Sequence, residues 1–502
     1  MRYLLRAAAL FLLTFTTSGC VVFLPDRIHY RMDADASQSS ALPAVGGVPG
    51  QVSATPVNPV FASAASSAAS SAASSASGDR EFVGLAFSGG GSRAAVFAAA
   101  SAEALYEEGI LARVSHLSAV SGGSFAAAYL ATQPLTACGI QAPRRECADA
   151  YFDEFLATMR KNYLTPTALR QIYNPIRFLS PTRRITSLQE TLDASFLDGA
   201  TFGDMGERPV LLINAASYDD SRRFVFSQAA IAEIGEASLL PGVEIAGKSD
   251  ALAVVWADSF SAAGQARPTP DDLPLSLAVA ASAAFPPLLG PVAIEAPHRS
   301  RDDAREYWHL GDGGILDNTG TESLQELLLR AKRSGAPPDR AIIISINAGV
   351  PTDTDAYRDT SNLRLWTRNP GQVVAIANVR AEAYRAIVWT AAAEELGFPA
   401  VIIELSIVDA RLESWPESCR GIRKRYATPA ARLRDVPTSL KISGCDGDLV
   451  VAAAYAIVRD AIPEIRRQMK AAGFSPREIG ADADQPSSAI SNGRADATTG
   501  RP

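Results

Sequence analysis

The chain has 502 residues, of which 47% are hydrophobic and 20% are charged, and its formal net charge is −7. This length supports a large core, and the mild acidity excludes a strongly basic protein of the nucleic-acid-binding kind. The sequence contains only four histidines, and no His or Cys spacing resembles a zinc site, so we expect no metal centre.

The N-terminus has the pattern of an export signal. Two arginines precede an apolar run over residues 7–15, so we predict a secretory signal peptide over 1–19 that is too short to span a bilayer. The letters TSGC at 17–20 resemble the lipobox of bacterial lipoproteins. This resemblance implies a lipidated Cys20, and Val21 in place of Asp then implies the outer membrane. Simple secretion is the alternative.

Two segments are predicted to be disordered. From about residue 33 the sequence becomes rich in Ala, Ser, Pro and Gly, so residues 20–78 are interpreted as a lipid anchor followed by a disordered tether. The polar tail at 481–502 is similar in character. We therefore expect the folded body to occupy residues 79–480.

The four cysteines that follow Cys20 form two local pairs in the sequence. Export to an oxidising compartment makes a disulfide within each pair plausible, although four separate thiols are the alternative. The predicted pairs are Cys138 with Cys147 and Cys419 with Cys445.

Within the body, short apolar runs alternate with helical patterns. Such alternation favours an α/β fold of three layers, in which helices flank a mostly parallel central sheet. Two long helical patterns are expected outside it, the second forming a C-terminal helical extension. The predicted strands are 82–87, 113–120, 208–217 and 340–348, and the long helices are 372–396 and 449–472.

The first strand runs into a glycine loop, SGGGSR at 88–93. Three glycines let the backbone turn tightly and expose N–H groups at a helix N-terminus, where they can hold an anion. The loop is thus an oxyanion hole, a dinucleotide-binding turn or a plain turn, although an exported protein seldom meets dinucleotides. The dinucleotide pattern would consist of Gly89, Gly91 and Ala94, with Glu107 or Glu108 as the ribose acid.

A second strand-to-helix junction reads AVSGG at 119–123. A nucleophile elbow needs small residues two positions before and two after its serine, and Ala119 and Gly123 satisfy this around Ser121. An ordinary Gly-Ser turn is the alternative, and Ser124 is a rival nucleophile.

The base that would activate Ser121 is better sought among carboxylates than among histidines. Asp312 ends an apolar stretch and precedes two glycines, so a close approach by another backbone is allowed, and a carboxylate in contact with a serine can take its proton. Asp317 is a rival. The histidines lie at less useful places: His29, His116, His298 and His309.

Together and in this order, these motifs resemble the patatin-like phospholipase family. SGGGSR looks like its oxyanion motif, AVSGG its G-x-S-x-G elbow and DGG at 312–314 its aspartate motif, with further similarity at 213–227 and 280–292. The resemblance covers roughly residues 82–320. The chain departs from the family pattern at Ala119 and Ala94, where glycine is usual.

The resemblance implies a lipid acyl hydrolase with a Ser-Asp dyad and no cofactor. Ser121 would be acylated, Asp312 would act as base and then as acid, and Gly89, Gly90 and Gly91, supported by Arg93, would hold the oxyanion. Membrane phospholipids or other acyl-ester lipids are the implied substrates. The alternative is a non-catalytic lipid-binding or scaffold lipoprotein of the envelope on the same fold.

Overall fold

The structure is a computed structural model that describes only part of the chain. The described residues are 27–31, 80–133, 145–205, 208–219, 221–227, 254–256, 273–286, 289–297, 305–333, 335–350 and 378–474, the last range with gaps at 388, 391–392 and 394–395.

A ten-stranded, mostly parallel sheet forms the centre of the described fold. Its inner strands are rich in apolar residues and almost entirely buried, because helices cover both faces of a parallel sheet and leave neither face to water. The order is β1-β7-β8-β4-β3-β2-β9-β10, with β5 pairing β4 and β6 pairing β5. The strands are β1 Tyr30–Arg31, β2 Glu81–Phe87, β3 His116–Val120, β4 Val210–Ser217, β5 Arg223–Ser227, β6 Val254–Trp256, β7 Val292–Pro297, β8 Arg305–Asp312, β9 Arg340–Asn347 and β10 Ala400–Ser406.

Helices cover the two faces of the sheet and bury two apolar clusters. The larger cluster joins the sheet to α1, α2, α7 and α10, and the smaller one joins it to α8 through Leu324, Leu327 and Leu328. This confirms the predicted three layers. The helices are α1 Gly91–Glu107, α2 Gly122–Thr132, α3 Arg145–Met159, α4 Leu164–Ile172, α5 Pro175–Leu179, α6 Pro181–Leu192, α7 Leu275–Ser282, α8 Thr321–Arg333, α9 Pro429–Arg434 and α10 Gly444–Ala471.

Strand β4 brings the ends of two other strands together. Its residues 212–216 pair with β5 on one edge, and its opposite edge pairs first with β3 and then with β8. Because β3 runs parallel and β8 antiparallel to β4, their carboxyl ends meet. Val120 pairs with Asn214 and Asp312 pairs with the next residue, Ala215. The residue after Val120 is Ser121, so the topology itself places the two predicted catalytic residues side by side.

The predicted strands form close to their predicted bounds, and the region after about residue 320, where the resemblance ends, is integral to the fold. Strand β9 lies between β2 and the edge strand β10. Helix α10, predicted over 449–472, begins earlier, at Gly444, and its residues contact α1. It is therefore part of a covering layer and not an appended extension. The predicted helix over 372–396 is described only in part, with continuous helix over 378–387.

The prediction of a disordered tether over 20–78 is wrong for residues 27–31, which are part of the fold. Tyr30 and Arg31 pair in parallel with Ile294 and Glu295 of β7, and the His29 N–H donates to the Ala293 carbonyl at 2.8 Å. Thus a piece of the range 20–78 is built into the sheet edge, because its main chain satisfies the exposed hydrogen-bonding groups of β7. The predicted signal peptide, Cys20, the rest of that range and the tail 481–502 lie outside the described residues.

Candidate active site

Ser121 occupies a strained turn between β3 and α2. Its φ is 50° and its ψ is −120°, and it is one of the non-glycine residues with positive φ in the described chain. Such a conformation is unfavourable for a residue with a side chain and persists only where the surroundings enforce it. The enforcement is close packing, because a Cβ on Gly122 would lie 2.0 Å from the Gly91 carbonyl oxygen, and one on Gly123 would lie 2.6 Å from that of Ser88. The elbow therefore requires both glycines.

The Ser121 hydroxyl donates a hydrogen bond to Asp312. The distance from Oγ to Oδ2 is 2.8 Å, and both residues are buried. The other carboxylate oxygen, Oδ1, accepts from the Gly314 N–H at 2.8 Å. A Cβ on Gly313 would lie 2.3 Å from the Asn214 carbonyl oxygen, so the DGG turn packs directly against β4. The serine and aspartate that the sequence predicted as partners are thus in contact.

Burial sets the protonation of Asp312. Desolvation raises the pKa of this carboxyl to about 6, although its hydrogen bonds with Ser121 and Gly314 favour the charged form. A carboxylate with such a pKa is a stronger base than an ordinary aspartate and is still largely ionised at neutral pH. This combination suits a group that accepts and then returns a proton.

The backbone amide of Ser121 is already engaged. Its N–H donates to Ser282 Oγ at 2.8 Å, and the Ser282 hydroxyl donates to the Asn214 carbonyl at 2.6 Å. Ser124, the rival nucleophile, has its Oγ 2.9 Å from Ser282 Oγ and is fully buried. Ser124 and Ser282 therefore support the elbow, while Ser121 faces the carboxylate.

The glycine loop packs against the elbow, and its N–H groups differ in availability. The Gly89 N–H donates to the Asn318 carbonyl at 2.8 Å. Of the three loop glycines predicted to donate to an oxyanion, Gly89 is therefore already engaged. Among the described residues, none accepts a hydrogen bond from the N–H groups of Gly90, Gly91 or Gly122. Gly122 follows the serine directly, as the oxyanion donor of a nucleophile elbow does. These three amides are the candidate oxyanion hole.

Arg93 supports the glycine loop through hydrogen bonds to other segments and does not itself belong to the candidate oxyanion hole. Its Nε donates to the Ala348 carbonyl at 3.0 Å, its Nη1 to the Val436 carbonyl and its Nη2 to Thr438 Oγ1 at 3.3 Å. Burial lowers the pKa of the guanidinium to about 10. The supporting role predicted for Arg93 agrees with these contacts, and its inclusion among the oxyanion residues does not.

Asp317, the rival aspartate, has a structural role. Its carboxylate accepts from the Thr319 N–H at 3.0 Å and from the Glu322 N–H at 3.0 Å, which caps the start of α8. Burial opposes its charge, but Arg385 and Arg223 nearby lower the pKa of Asp317 below its usual value. An aspartate that holds its charge so firmly is a poor proton acceptor.

Each of the three described histidines has partners other than Ser121 and Asp312. His116 stacks on Phe82 at 4.3 Å, and burial lowers its pKa to about 3. His309 contacts Asp219 through Nδ1 at 3.0 Å, and His29 Nδ1 accepts from the Ala293 N–H at 3.0 Å. His298 lies outside the described residues.

Sequence reasoning missed three residues that shape the site: Ser282, Asn318 and Tyr218. Ser282 lies inside the stretch 280–292 that is similar to the family, and Asn318 follows the DGG turn, so their positions near motifs were the available signals. Tyr218 packs against Gly311, and burial, followed by the charge of Asp312, raises the pKa of its phenol to about 12. Tyr218 lies inside the similar stretch 213–227, which was the available signal for it.

Of the predicted disulfides, one falls within the described residues. The Sγ atoms of Cys419 and Cys445 are 2.01 Å apart, which links the segment before α9 to the start of α10. Cys138 and the side chain of Cys147 lie outside the described residues. Within the described part of the chain there is no group of three or more His, Cys, Asp or Glu that could hold a metal ion. No described helix has the length and apolar character needed to cross a bilayer.

Comparisons with solved structures return human proteins of low similarity. Human GIVD cytosolic phospholipase A2 is 13% identical, with 78% of this chain and 60% of that chain covered and a TM-score of 0.37. Its complex with methyl gamma-linolenyl fluorophosphonate gives 14% identity, coverages of 83% and 62%, and a TM-score of 0.43. The chain thus spans about three-fifths of the length of these structures.

A comparison with curated protein sequences gives no match. The sequence model of the family described as patatin-like phospholipase matches residues 85–324. This range contains the glycine loop, the serine elbow and the DGG turn that the geometry brings together. Over residues 85–324 the chain is therefore similar to the patatin-like phospholipase family.

Proposed function

We propose that the chain is a serine acyl hydrolase that cleaves carboxylic ester bonds of membrane lipids through an acyl-serine intermediate. The observation that carries the proposal is the 2.8 Å contact between Ser121 Oγ and Asp312 Oδ2 in a buried, strained elbow. The match of residues 85–324 to the patatin-like phospholipase family supports lipids as the substrate class.

In the acylation step, Ser121 Oγ attacks the ester carbonyl carbon while its proton moves to Asp312 Oδ2. The carbonyl oxygen becomes an oxyanion, and the N–H groups of Gly90, Gly91 and Gly122 stabilise it by hydrogen bonding. The bond to the leaving alkoxide then breaks, and Asp312 returns the proton to that oxygen. The products are the free alcohol and an acyl-serine ester.

In the deacylation step, a water molecule replaces the alcohol. Asp312 takes a proton from this water as its oxygen attacks the acyl carbon, and the same amides hold the second oxyanion. When the tetrahedral intermediate collapses, the proton passes from Asp312 to Ser121 Oγ and the fatty acid leaves. One carboxylate with a pKa near 6 therefore serves as base and acid in both halves of the cycle.

A fluorophosphonate probe and defined phospholipids test the proposal. We expect the chain to be labelled by the probe and to release fatty acid, and we expect Ser121→Ala and Asp312→Asn to lose both reactions. Ser124→Ala is the matched control, since Ser124 is buried in the first turn of α2 and its hydroxyl lies against Ser282 and not against Asp312. An unlabelled, inactive parent chain would favour the scaffold alternative. Loss of labelling in Ser124→Ala but not in Ser121→Ala would show that Ser124, and not Ser121, is the nucleophile.

We also propose that Cys20 carries a lipid and holds the protein at the outer membrane of a bacterial envelope. The support is the signal-like stretch at 1–19 that ends in TSGC. Metabolic labelling with an alkyne fatty acid should mark the chain and should fail for Cys20→Ser. Labelling that persists in Cys20→Ser, or a parent chain that stays unlabelled, would contradict anchoring at this residue.

A further inference from the structure

Helices α4 and α5 expose large apolar side chains to solvent. We call this set the α4–α5 patch: two members lie on α4, one directly follows α4 and one lies on α5. Large apolar groups exposed together usually mark an interaction surface, whereas single ones carry no such meaning. The patch consists of Leu169 at 43% exposed, Ile172 at 65%, Tyr173 at 82% and Ile176 at 52%.

The patch lies beside helix α6. The Gln171 side chain, between Leu169 and Ile172, donates to the Arg184 carbonyl at 3.4 Å. Arg177, next to Ile176, forms a bidentate ion pair with Glu190. The patch is therefore fixed against α6 both near its start, at Arg184, and near its end, at Glu190, and does not belong to a free arm.

The N-terminal strand attaches to the same helix. The Arg27 N–H donates to Thr182 Oγ1 at 3.0 Å, in the first turn of α6, and residues 30–31 continue as β1 on the sheet edge. The chain therefore enters the folded body next to the α4–α5 patch.

The distance from this entry point to the proposed anchor is short. Arg27 follows Cys20 by seven residues. A fully extended chain spans at most about 3.6 Å per residue, so a lipid on Cys20 lies within about 25 Å of Thr182. The Ala/Ser-rich run comes later in the sequence, between β1 and β2, and adds nothing to this reach.

The charge around the patch complements a lipid surface. Residues 164–192 contain four arginines and one glutamate, and Arg27 adds a further positive charge. Basic side chains beside exposed apolar ones are the composition of segments that lie in a membrane interface, where anionic headgroups attract them. Tyrosine also favours this depth, because its ring is apolar and its hydroxyl is polar.

We propose that the α4–α5 patch docks on the surface of the lipid bilayer, with Ile172, Tyr173 and Ile176 inserted among the headgroups. The short connection from Cys20 selects this patch over other exposed apolar side chains, such as Val379, Tyr384 and Ile387. The docked orientation goes beyond the proposed chemistry. The choice of this patch rests on the proposed lipid at Cys20. Contact with the bilayer rests on the exposed side chains of the patch itself.

Fluorescence quenching in vesicles measures the insertion. The full chain with its anchor is reconstituted in vesicles of phosphatidylethanolamine and phosphatidylglycerol with brominated acyl chains, and Tyr173→Trp is compared with the parent chain. We expect brominated lipid to quench at least about half of the added fluorescence, since an interfacial apolar face lies about 5–10 Å into the headgroup boundary. The matched control, Tyr384→Trp, should remain unquenched.

A triple change tests the consequence for turnover. Ile172→Ser, Tyr173→Ser and Ile176→Ser together should lower hydrolysis of vesicle phospholipid about tenfold and leave hydrolysis of a soluble short-chain ester unchanged. Val379→Ser, Tyr384→Ser and Ile387→Ser form the control set and should change neither rate. A parent chain without soluble-ester activity would contradict the proposed chemistry, and the quenching measurement would still judge the docking.

Three results would overturn the docking proposal. The first is equal quenching at positions 173 and 384. The second is an equal loss of vesicle hydrolysis in the two triple variants. The third is an oligomer that the α4–α5 triple dissociates without any quenching at position 173, which would make a second copy of the chain the occupant of the patch.

Discussion

The hydroxyl of Ser282 holds the backbone amide of Ser121 at 2.8 Å. This contact fixes the strained φ of the proposed nucleophile, because the same hydroxyl also donates to the Asn214 carbonyl and so ties the elbow to β4. Removing it leaves a buried N–H without an acceptor, which costs about 1–3 kcal/mol of stability. We expect Ser282→Ala to lower kcat about tenfold with little change in KM.

The control for Ser282→Ala is Ser276→Ala. Ser276 is equally buried on α7 and makes no hydrogen bond to Ser121. Steady-state kinetics on a soluble ester and thermal unfolding should separate the two variants. If both lose activity equally, packing of α7 and not the amide contact explains the effect.

The pKa of Asp312 predicts the acid limb of the pH profile. The carboxylate must be ionised to accept the Ser121 proton, and burial raises its pKa to about 6. We therefore expect kcat/KM to fall about tenfold per pH unit below about pH 6 and to be level above it. A profile that stays level down to pH 4 would remove Asp312 as the base.

The same pKa makes Asp312 unfavourable for stability at neutral pH. Folding raises the pKa from 3.8 to about 6, so the folded state binds the proton more tightly than the unfolded state. The stability this group contributes is present below pH 3.8 and is lost as the pH rises through about 6. We expect Asp312→Asn to be inactive and, at pH 8, more stable than the parent by up to about 3 kcal/mol.

Denaturant unfolding of Asp312→Asn and the parent at several pH values checks this sign. The difference in free energy of unfolding should shrink towards zero near pH 4. A variant less stable than the parent at pH 8 would show that the two hydrogen bonds of the carboxylate outweigh its desolvation.

Gly122 is expected to tolerate no side chain. A Cβ there would lie 2.0 Å from the Gly91 carbonyl oxygen, a backbone atom that cannot move without displacing the glycine loop. We expect Gly122→Ala to reduce fluorophosphonate labelling by more than about 100-fold, the size of effect associated with loss of one oxyanion donor. Gly421→Ala is the control, since a Cβ there meets nothing within 4 Å.

Arg93 is expected to act through the position of the glycine loop. Lysine lacks the planar fork that reaches Ala348, Val436 and Thr438 together, so Arg93→Lys should lower both kcat and thermal stability. Thr438→Val removes one of the three acceptors and should have a smaller effect on both. Equal effects of the two changes would indicate that the contact with Thr438 dominates.

The sequence predicts those parts of the fold that depend on local pattern. Strands β2, β3, β4 and β9 are rich in apolar residues because they are buried on both faces, and their bounds follow from the sequence to within a few residues. Strand β1 was not predicted, because two residues at a sheet edge leave no periodic signal. Its place depends on pairing with β7, which lies far along the chain.

The site divides in the same way. Ser121 and Asp312 lie at motifs that small residues mark, so both were identified from sequence. Which amides remain free for an oxyanion was not predictable, because the Gly89 N–H is taken by Asn318, more than 200 residues away. The acceptors of Arg93 lie further still, and no local spacing specifies them.

The position of strand β1 also means that the length of the Ala/Ser-rich run can vary during evolution without changing the distance between Cys20 and the folded body. The run joins β1 to β2, two strands that are already fixed in one sheet, and so it closes a loop within the body. For a segment of such composition, doubling the loop length costs only about 0.6 kcal/mol. Repeats of ASS and AAS can therefore be gained or lost without altering how far the body stands from Cys20.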